Sequence, residues 1–80
     1  MKALDPEILD FYDTQVVKMI VMKYAIPERE ALSAFLESKT YAMLVNPEMD
    51  MCRFGPPGIF DVWEAERVTG SPRNSNYLKV

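Results

Sequence analysis

The sequence predicts an all-α fold, a compact array of three to four short helices in a single domain. The chain has 80 residues, which is enough for one hydrophobic core and too few for two. Hydrophobic residues make up 49% of it and charged residues 26%, the mixture of an ordinary globular protein. Apolar residues recur at three- and four-residue spacings, and prolines divide them into short segments. We therefore expect one helical domain over residues 1–72 and a polar C-terminal tail over residues 73–80.

The first helix is predicted to begin at Asp5-Pro6-Glu7. Asp5 can accept hydrogen bonds from the free N–H groups of the first turn, and Pro6 has no N–H that would need a partner there. An apolar stripe follows at helical spacing, formed by Ile8, Tyr12, Val16, Met19, Ile20 and Tyr24. Ile26-Pro27 is expected to end this helix, because the residue before a proline disfavours the helical conformation.

Further helices are expected after Pro27, which is itself predicted to occupy the first position of the second one. The buried face of the second helix is predicted to consist of Ala31, Leu32, Phe35 and Leu36. Ser38 is suited to cap a short third helix, which Asn46-Pro47 ends. The last helix is expected to follow Pro56-Pro57 and to stop at Gly70, since glycine favours a left-handed cap. Its apolar residues are Ile59, Phe60, Val62, Trp63 and Val68.

Two segments are each compatible with more than one conformation. Residues 48–58 fit either a short extended piece or an irregular loop that packs on the core. The tail over residues 73–80 is polar but ends in apolar side chains, those of Tyr77, Leu78 and Val80. It is compatible with either a loose or a docked segment.

The second half of the first helix is apolar nearly all round. Val17, Val21 and Met22 fall outside the stripe, and Lys18 and Lys23 are the only charges between residues 16 and 25. Such a helix is either central in its fold or shared with a second chain. Few helices can surround a central one in a chain this short, so a buried core position and a surface for a homodimer or protein partner both remain open. The residues predicted for a partner interface are Val17, Val21, Met22 and Trp63.

Residues able to carry catalysis or hold a cofactor are sparse. Cys52 is the only cysteine and there is no histidine, which excludes a disulfide framework and a structural zinc site of the usual kind. A catalytic thiol at Cys52 would also lack an imidazole base. The segment Gly55-Pro-Pro-Gly58 cannot present the run of N–H groups that cradles a phosphate. We expect no catalytic, cofactor-binding or metal-binding residues.

Paired carboxylates one helical turn apart occur at Asp10 and Asp13 and at Asp61 and Glu64. Such pairs could bind a hard cation or serve in acid–base catalysis. They are more typical of a solvated helix face, and the acidic loop of a familiar calcium site is missing. We therefore interpret these carboxylates as surface charge.

The charge balance bears on the choice of partner. The formal net charge of −3 argues against a nucleic-acid ligand, since phosphate binding needs clustered lysine and arginine. A small DNA-binding transcriptional regulator is still the alternative hypothesis, because Arg67, Arg73 and Lys79 lie towards the C-terminus. Glu64 and Glu66 precede Arg67, which is not the pattern of a basic recognition helix.

The chain is expected to be cytoplasmic and without membrane contact. Its N-terminus lacks the basic-then-apolar order of a signal peptide. The apolar stretch over residues 16–25 is about half the length that spans a bilayer.

The order of parts resembles a family of short, uncharacterised bacterial helical proteins, a domain of unknown function sometimes encoded beside predicted toxins of the ADP-ribosyltransferase type. The resemblance covers about Phe11 to Glu66. It comprises Lys-Tyr-Ala at the end of the first helix, Pro-Glu-Arg-Glu-Ala-Leu after it, Phe-Leu-Glu-Ser-Lys-Thr-Tyr-Ala-Met-Leu next, and a Pro-x-x-Ile-x-Asp helix opening. The tail after Gly70 has no counterpart in that family. The resemblance implies no catalytic residues, and it implies a small partner-binding protein, the antitoxin half of a toxin–antitoxin pair.

Taken from the residues, the leading hypothesis is a non-enzymatic helical interaction protein that binds a protein partner or forms a homodimer. The second is the DNA-binding regulator. The third is an enzyme built on Cys52 or on surface carboxylates.

Overall fold

The computed structural model describes residues 6–75 and 78, and within them the chain forms four α-helices. These are α1 (Pro6–Tyr24), α2 (Glu28–Leu36), α3 (Lys39–Leu44) and α4 (Gly55–Thr69). The described residues contain no β-strand. The predicted all-α class, with three to four short helices, is therefore confirmed. The expected cap at Asp5 lies outside the described residues.

Residues 25–27 join α1 to α2 without a helical turn. Ala25 adopts a left-handed backbone with φ of 54°, while its N–H still donates to the carbonyl oxygen of Val21 at 2.9 Å. Pro27 is extended, with φ of −60° and ψ of 148°, and α2 begins one residue later at Glu28. The prediction that Pro27 opens the helix is thus wrong by one residue, because its ψ lies far from the helical value.

The segment between α3 and α4 contains two short 3₁₀-helical pieces, Pro47–Met49 and Met51–Phe54. Asp50 between them has a left-handed backbone with φ of 51°. The segment is therefore not an extended strand, and Met51 fastens it to the core by being fully buried. The prolines of α4 lie within its first turn, where a missing N–H costs nothing, so α4 begins at Gly55 rather than after the prolines.

Capping contacts hold the short helix α3 in place. The Ser38 hydroxyl accepts a hydrogen bond from the Tyr41 N–H at 3.0 Å, as predicted for this position. Glu66 of α4 supplies a second cap: its carboxylate accepts from the N–H groups of Lys39 and Thr40 at 2.9 and 2.8 Å. It also accepts from the buried Thr40 hydroxyl at 2.8 Å. One side chain thus satisfies three donors at the start of α3.

The core is formed by side chains of all four α-helices and of the piece Met51–Phe54. Its fully buried hydrophobic residues include Val16, Ile20, Ala31, Phe35, Leu44, Met51, Ile59 and Val62. Ile8, the first residue of the predicted stripe, is exposed instead, as is Val68 of α4. No helix in the described residues is both long enough and apolar enough to cross a membrane.

The chain after α4 folds back onto that helix. Gly70 ends α4 with a left-handed φ of 86°, as predicted, and its N–H donates to the Glu66 carbonyl oxygen at 2.7 Å. A 3₁₀-helical piece, Pro72–Asn74, then packs against α4. The Ser75 hydroxyl donates to the Asp61 carboxylate at 2.6 Å, and Leu78 packs on the edge of the core. The described part of the predicted tail is therefore docked, while Tyr77, Lys79 and Val80 lie outside the described residues.

Candidate functional site

A groove runs between α1 and α2, with a volume of about 490 Å³. The α1 side is formed by Asp10, Asp13, Thr14, Val17, Lys18, Val21 and Met22, and the α2 side by Glu28, Leu32 and Leu36. We call these ten residues the α1/α2 groove. Its volume falls in the range of clefts that bind ligands, about 300–1,000 Å³.

The centre of the α1/α2 groove is apolar. Val17 is buried and Val21 is half-buried, and both also pack on the core. Met22, Leu32 and Leu36 border them and remain exposed, at 79%, 38% and 41% of their surface. Three exposed hydrophobic side chains therefore border a largely buried apolar floor along one cleft, whereas exposed hydrophobic residues on a protein surface are ordinarily scattered singly.

The packing of α2 explains why two leucines stay outside. The helix has nine residues, and it turns Ala31 and Phe35 into the core, where both are fully buried. Leu32 and Leu36 each follow one of these residues by one position, which rotates them about 100° around the helix towards the cleft. The prediction that Leu32 and Leu36 belong to the buried face of α2 is wrong for this reason.

The polar side chains of the α1/α2 groove are mostly acidic. Asp10, Asp13 and Glu28 carry carboxylates, whereas Lys18 carries the only ammonium group among its ten residues. Asp10 and Asp13 lie one turn apart on α1, so their charges occupy the same part of the cleft. The groove therefore combines an apolar centre with an excess of negative charge.

Asp13 is the least satisfied of these acids. Its Oδ1 atom is buried and has no hydrogen-bond partner among the described residues. Burial raises the pKa of the Asp13 carboxyl, and the neighbouring charge of Asp10 raises it further. Burial and the charge of Asp10 both disfavour the ionised form of the Asp13 carboxyl.

Contacts with α3 show at which part of the cleft Asp13 lies. Burial raises the pKa of Tyr41, and the nearby Asp13 carboxylate adds to this rise. The Tyr41 ring packs edge-on against Phe35, with 5.3 Å between ring centroids. Phe35 immediately precedes Leu36, so Asp13 lies beside the α3 end of α2, whereas Glu28 lies at the start of that helix.

The structure brings together three of the four residues predicted for a partner interface. Val17, Val21 and Met22 line the α1/α2 groove. Trp63 does not: it is only 3% exposed, stacks on Phe60 at 6.2 Å and meets the Tyr24 ring edge-on at 5.8 Å. Leu32 and Leu36 belong to the groove but were expected inside. Their spacing of four residues along α2 indicates that they share one face of the helix. It does not indicate whether that face is buried or exposed.

A second polar cluster joins α1 to α4. The Glu64 carboxylate pairs with Lys23 Nζ at 2.6 Å and accepts a hydrogen bond from the Tyr24 hydroxyl at 2.7 Å. Burial raises the pKa of Glu64, but the bonds from Lys23 and Tyr24 outweigh it, so the pKa lies below its ordinary value. The Arg67 guanidinium lies over the rings of Tyr24 and Trp63, at 4.8 and 5.5 Å from their centroids. These contacts hold the end of α1 against α4.

Other acidic residues of α4 make contacts that stabilise the fold. Asp61 accepts the bond from Ser75, and Glu66 caps α3. Cys52 lies in the piece Met51–Phe54, and its side chain is outside the described part of the structure. Among the described residues, no group of three or more acidic or cysteine side chains is arranged to hold a metal ion.

Comparisons with known proteins found no matching protein-family model, no similar curated protein and no similar solved structure. The resemblance to short bacterial helical proteins therefore stays a prediction.

Proposed function

We propose that this protein is a non-enzymatic interaction module, and that it binds an α-helix of another protein in the α1/α2 groove. One observation carries the proposal. Met22, Leu32 and Leu36 stay exposed around Val17 and Val21 along one cleft. A small domain that leaves such a cleft open forgoes stability that a partner could restore.

The size of the cleft suits a small number of apolar side chains. A cavity of about 150 Å³ holds one benzene ring, so the groove has room for about three large apolar side chains. Three anchors at helical spacing, such as i, i+4 and i+7, are what an amphipathic helix lays into a groove between two other helices. Room for about three apolar anchors therefore favours an amphipathic helix as the occupant.

The expected affinity is modest. Burying what remains exposed of Met22, Leu32 and Leu36 would contribute on the order of 3 kcal/mol. The anchors of the bound helix would contribute a similar or larger amount. Association and side-chain ordering oppose this with several kcal/mol. We therefore expect a dissociation constant of roughly micromolar order for a single helix.

The chain offers a matched pair of variants to test the site. Met22 in the groove and Val68 on α4 are exposed to the same degree, 79% and 78%, and both lie on helix surfaces. A displayed library of helical peptides with apolar residues at i, i+4 and i+7 should yield ligands for the wild-type protein. Met22→Lys should weaken their binding about tenfold or more, whereas Val68→Lys should leave it unchanged. Failure to select any ligand, or equal losses in both variants, would exclude the groove as the binding site.

A further inference from the structure

We propose, on the basis of the function proposed above, that the helix bound in the α1/α2 groove is basic at one end, with a lysine or arginine beside Asp10 and Asp13. The occupant is thus a partner protein that presents a cationic amphipathic helix. The proposal follows from the charge, the burial and the order of the groove residues along α1.

The excess of acid points to an unlike partner rather than to a second copy. The groove carries three carboxylates and one ammonium group. Two copies that joined through this cleft would bring six carboxylates and two ammonium groups together, and each whole chain has a formal charge of −3. Like charges across an interface oppose association, whereas a basic helix removes the imbalance.

The surroundings of Asp13 also favour a cation beside this carboxylate. Its charged form is disfavoured where it lies, since no described residue donates to the buried Oδ1 atom and Asp10 is one turn away. A cation held at this end of the cleft would stabilise the ionised carboxylate electrostatically. Lys18 is exposed and engages no carboxylate of the described residues in an ion pair. The groove therefore does not neutralise Asp13 by itself.

The order of residues along α1 gives the bound helix a register. Asp10 and Asp13 come first, and Val17 and Val21 follow one and two turns later. The distance from Asp10 to Val21 along the helix axis is roughly 16 Å, which corresponds to about eleven residues of a partner helix that lies along it. The complementary helix has one basic turn at one end and about two turns of apolar anchors beyond it.

Three synthetic helical peptides test this register. They share the same apolar anchors and capped termini, and differ only in two end residues, which are Lys-Lys, Gln-Gln or Glu-Glu. Binding is measured by fluorescence polarisation in about 50 mM salt and again in about 0.5 M salt, where exposed charges are screened. We expect the lysine peptide to bind wild-type protein about tenfold or more tightly than the glutamate peptide in low salt, and this ratio to shrink in high salt.

Two double variants assign the effect to the groove. Asp10→Asn with Asp13→Asn should reduce the ratio between the lysine and glutamate peptides to about threefold or less. Glu30→Gln with Glu48→Gln removes the same net charge outside the groove and should leave the ratio intact. Thermal unfolding confirms that all proteins are folded.

The outcomes separate this proposal from the function on which it rests. Equal binding of the three peptides, lost in Met22→Lys, would overturn the basic helix and leave the groove function standing. No peptide binding, together with a dimer by light scattering that Met22→Lys dissociates, would overturn both and identify a second copy as the occupant. No peptide binding and a monomer would likewise overturn both.

Discussion

The hydroxyl of Tyr24 donates a 2.7 Å hydrogen bond to the carboxylate of Glu64, and this bond fastens the end of α1 to the middle of α4. The same carboxylate pairs with Lys23, and the Tyr24 ring is covered by Arg67. The contact is half-buried, so water does not fully replace it when it is lost. It therefore offers a direct measure of how strongly the two longest helices are joined.

Tyr24→Phe should lower the free energy of unfolding by about 0.5–1.5 kcal/mol, because the ring contacts stay and only the hydroxyl bond is lost. Urea denaturation followed by circular dichroism measures this. The effect should largely disappear in a Glu64→Ala background, since the acceptor is then absent. An equal loss in both backgrounds would show that the bond to Glu64 is not what Tyr24 contributes.

Glu66→Ala should destabilise the protein by about 2–3 kcal/mol. It removes the acceptor of three hydrogen bonds and leaves the buried Thr40 hydroxyl without its partner. For a domain of this size the midpoint of thermal unfolding should fall by on the order of 10 °C. Glu30→Ala, an exposed acid in the first turn of α2, is the control and should cost only a few tenths of a kcal/mol.

Asp13→Asn should raise the unfolding midpoint at pH 7. The pKa of Asp13 is higher in the folded protein than in the unfolded chain, so ionisation of this group destabilises the fold as the pH rises through the folded value. Below the unfolded value, near 3.8, both states are protonated and the advantage of asparagine should vanish. Melting curves of both proteins between about pH 3 and pH 7 would reveal this convergence. A constant difference across that range would contradict it.

Ala25→Gly should stabilise the protein by up to about 1 kcal/mol. Ala25 has a φ of 54°, a conformation that costs an L-residue about 1–2 kcal/mol, and glycine removes this cost at the expense of a more flexible unfolded chain. Ala42→Gly, at an exposed helical position of α3, is the matched control and should instead lose about 0.5–1 kcal/mol. Chemical denaturation of the two variants should thus give shifts of opposite sign.

Local signals in the sequence were sufficient for several features of the fold. Ser38 and Gly70 were predicted as caps, and both act as such, because a serine side chain and a glycine backbone determine helix ends within three or four residues. The apolar stripe of α1 likewise identified Tyr12, Val16 and Ile20 as core residues. These features depend on neighbours close in sequence.

The features that escaped prediction depend on distant residues. Glu66 caps α3 from 26 or 27 positions away, and no spacing rule connects the two. Whether Leu32 and Leu36 lie inside or outside depends on which side of α2 meets α1, and helical periodicity does not decide that. Val17, Val21 and Met22 were singled out for excess hydrophobicity, and the structure gathers them along one cleft. Their role in binding stays a prediction.

The cap that Glu66 provides also has a consequence for the order in which the chain folds. A helix of six residues cannot persist by itself, since helices shorter than about 12–15 residues are marginal in water. The N–H groups of Lys39 and Thr40 at the start of α3 find their acceptor, Glu66, only once α4 has formed and docked. We therefore expect α3 to consolidate late, and its amide hydrogens to exchange together with the opening of the α3–α4 contact rather than one by one from its ends.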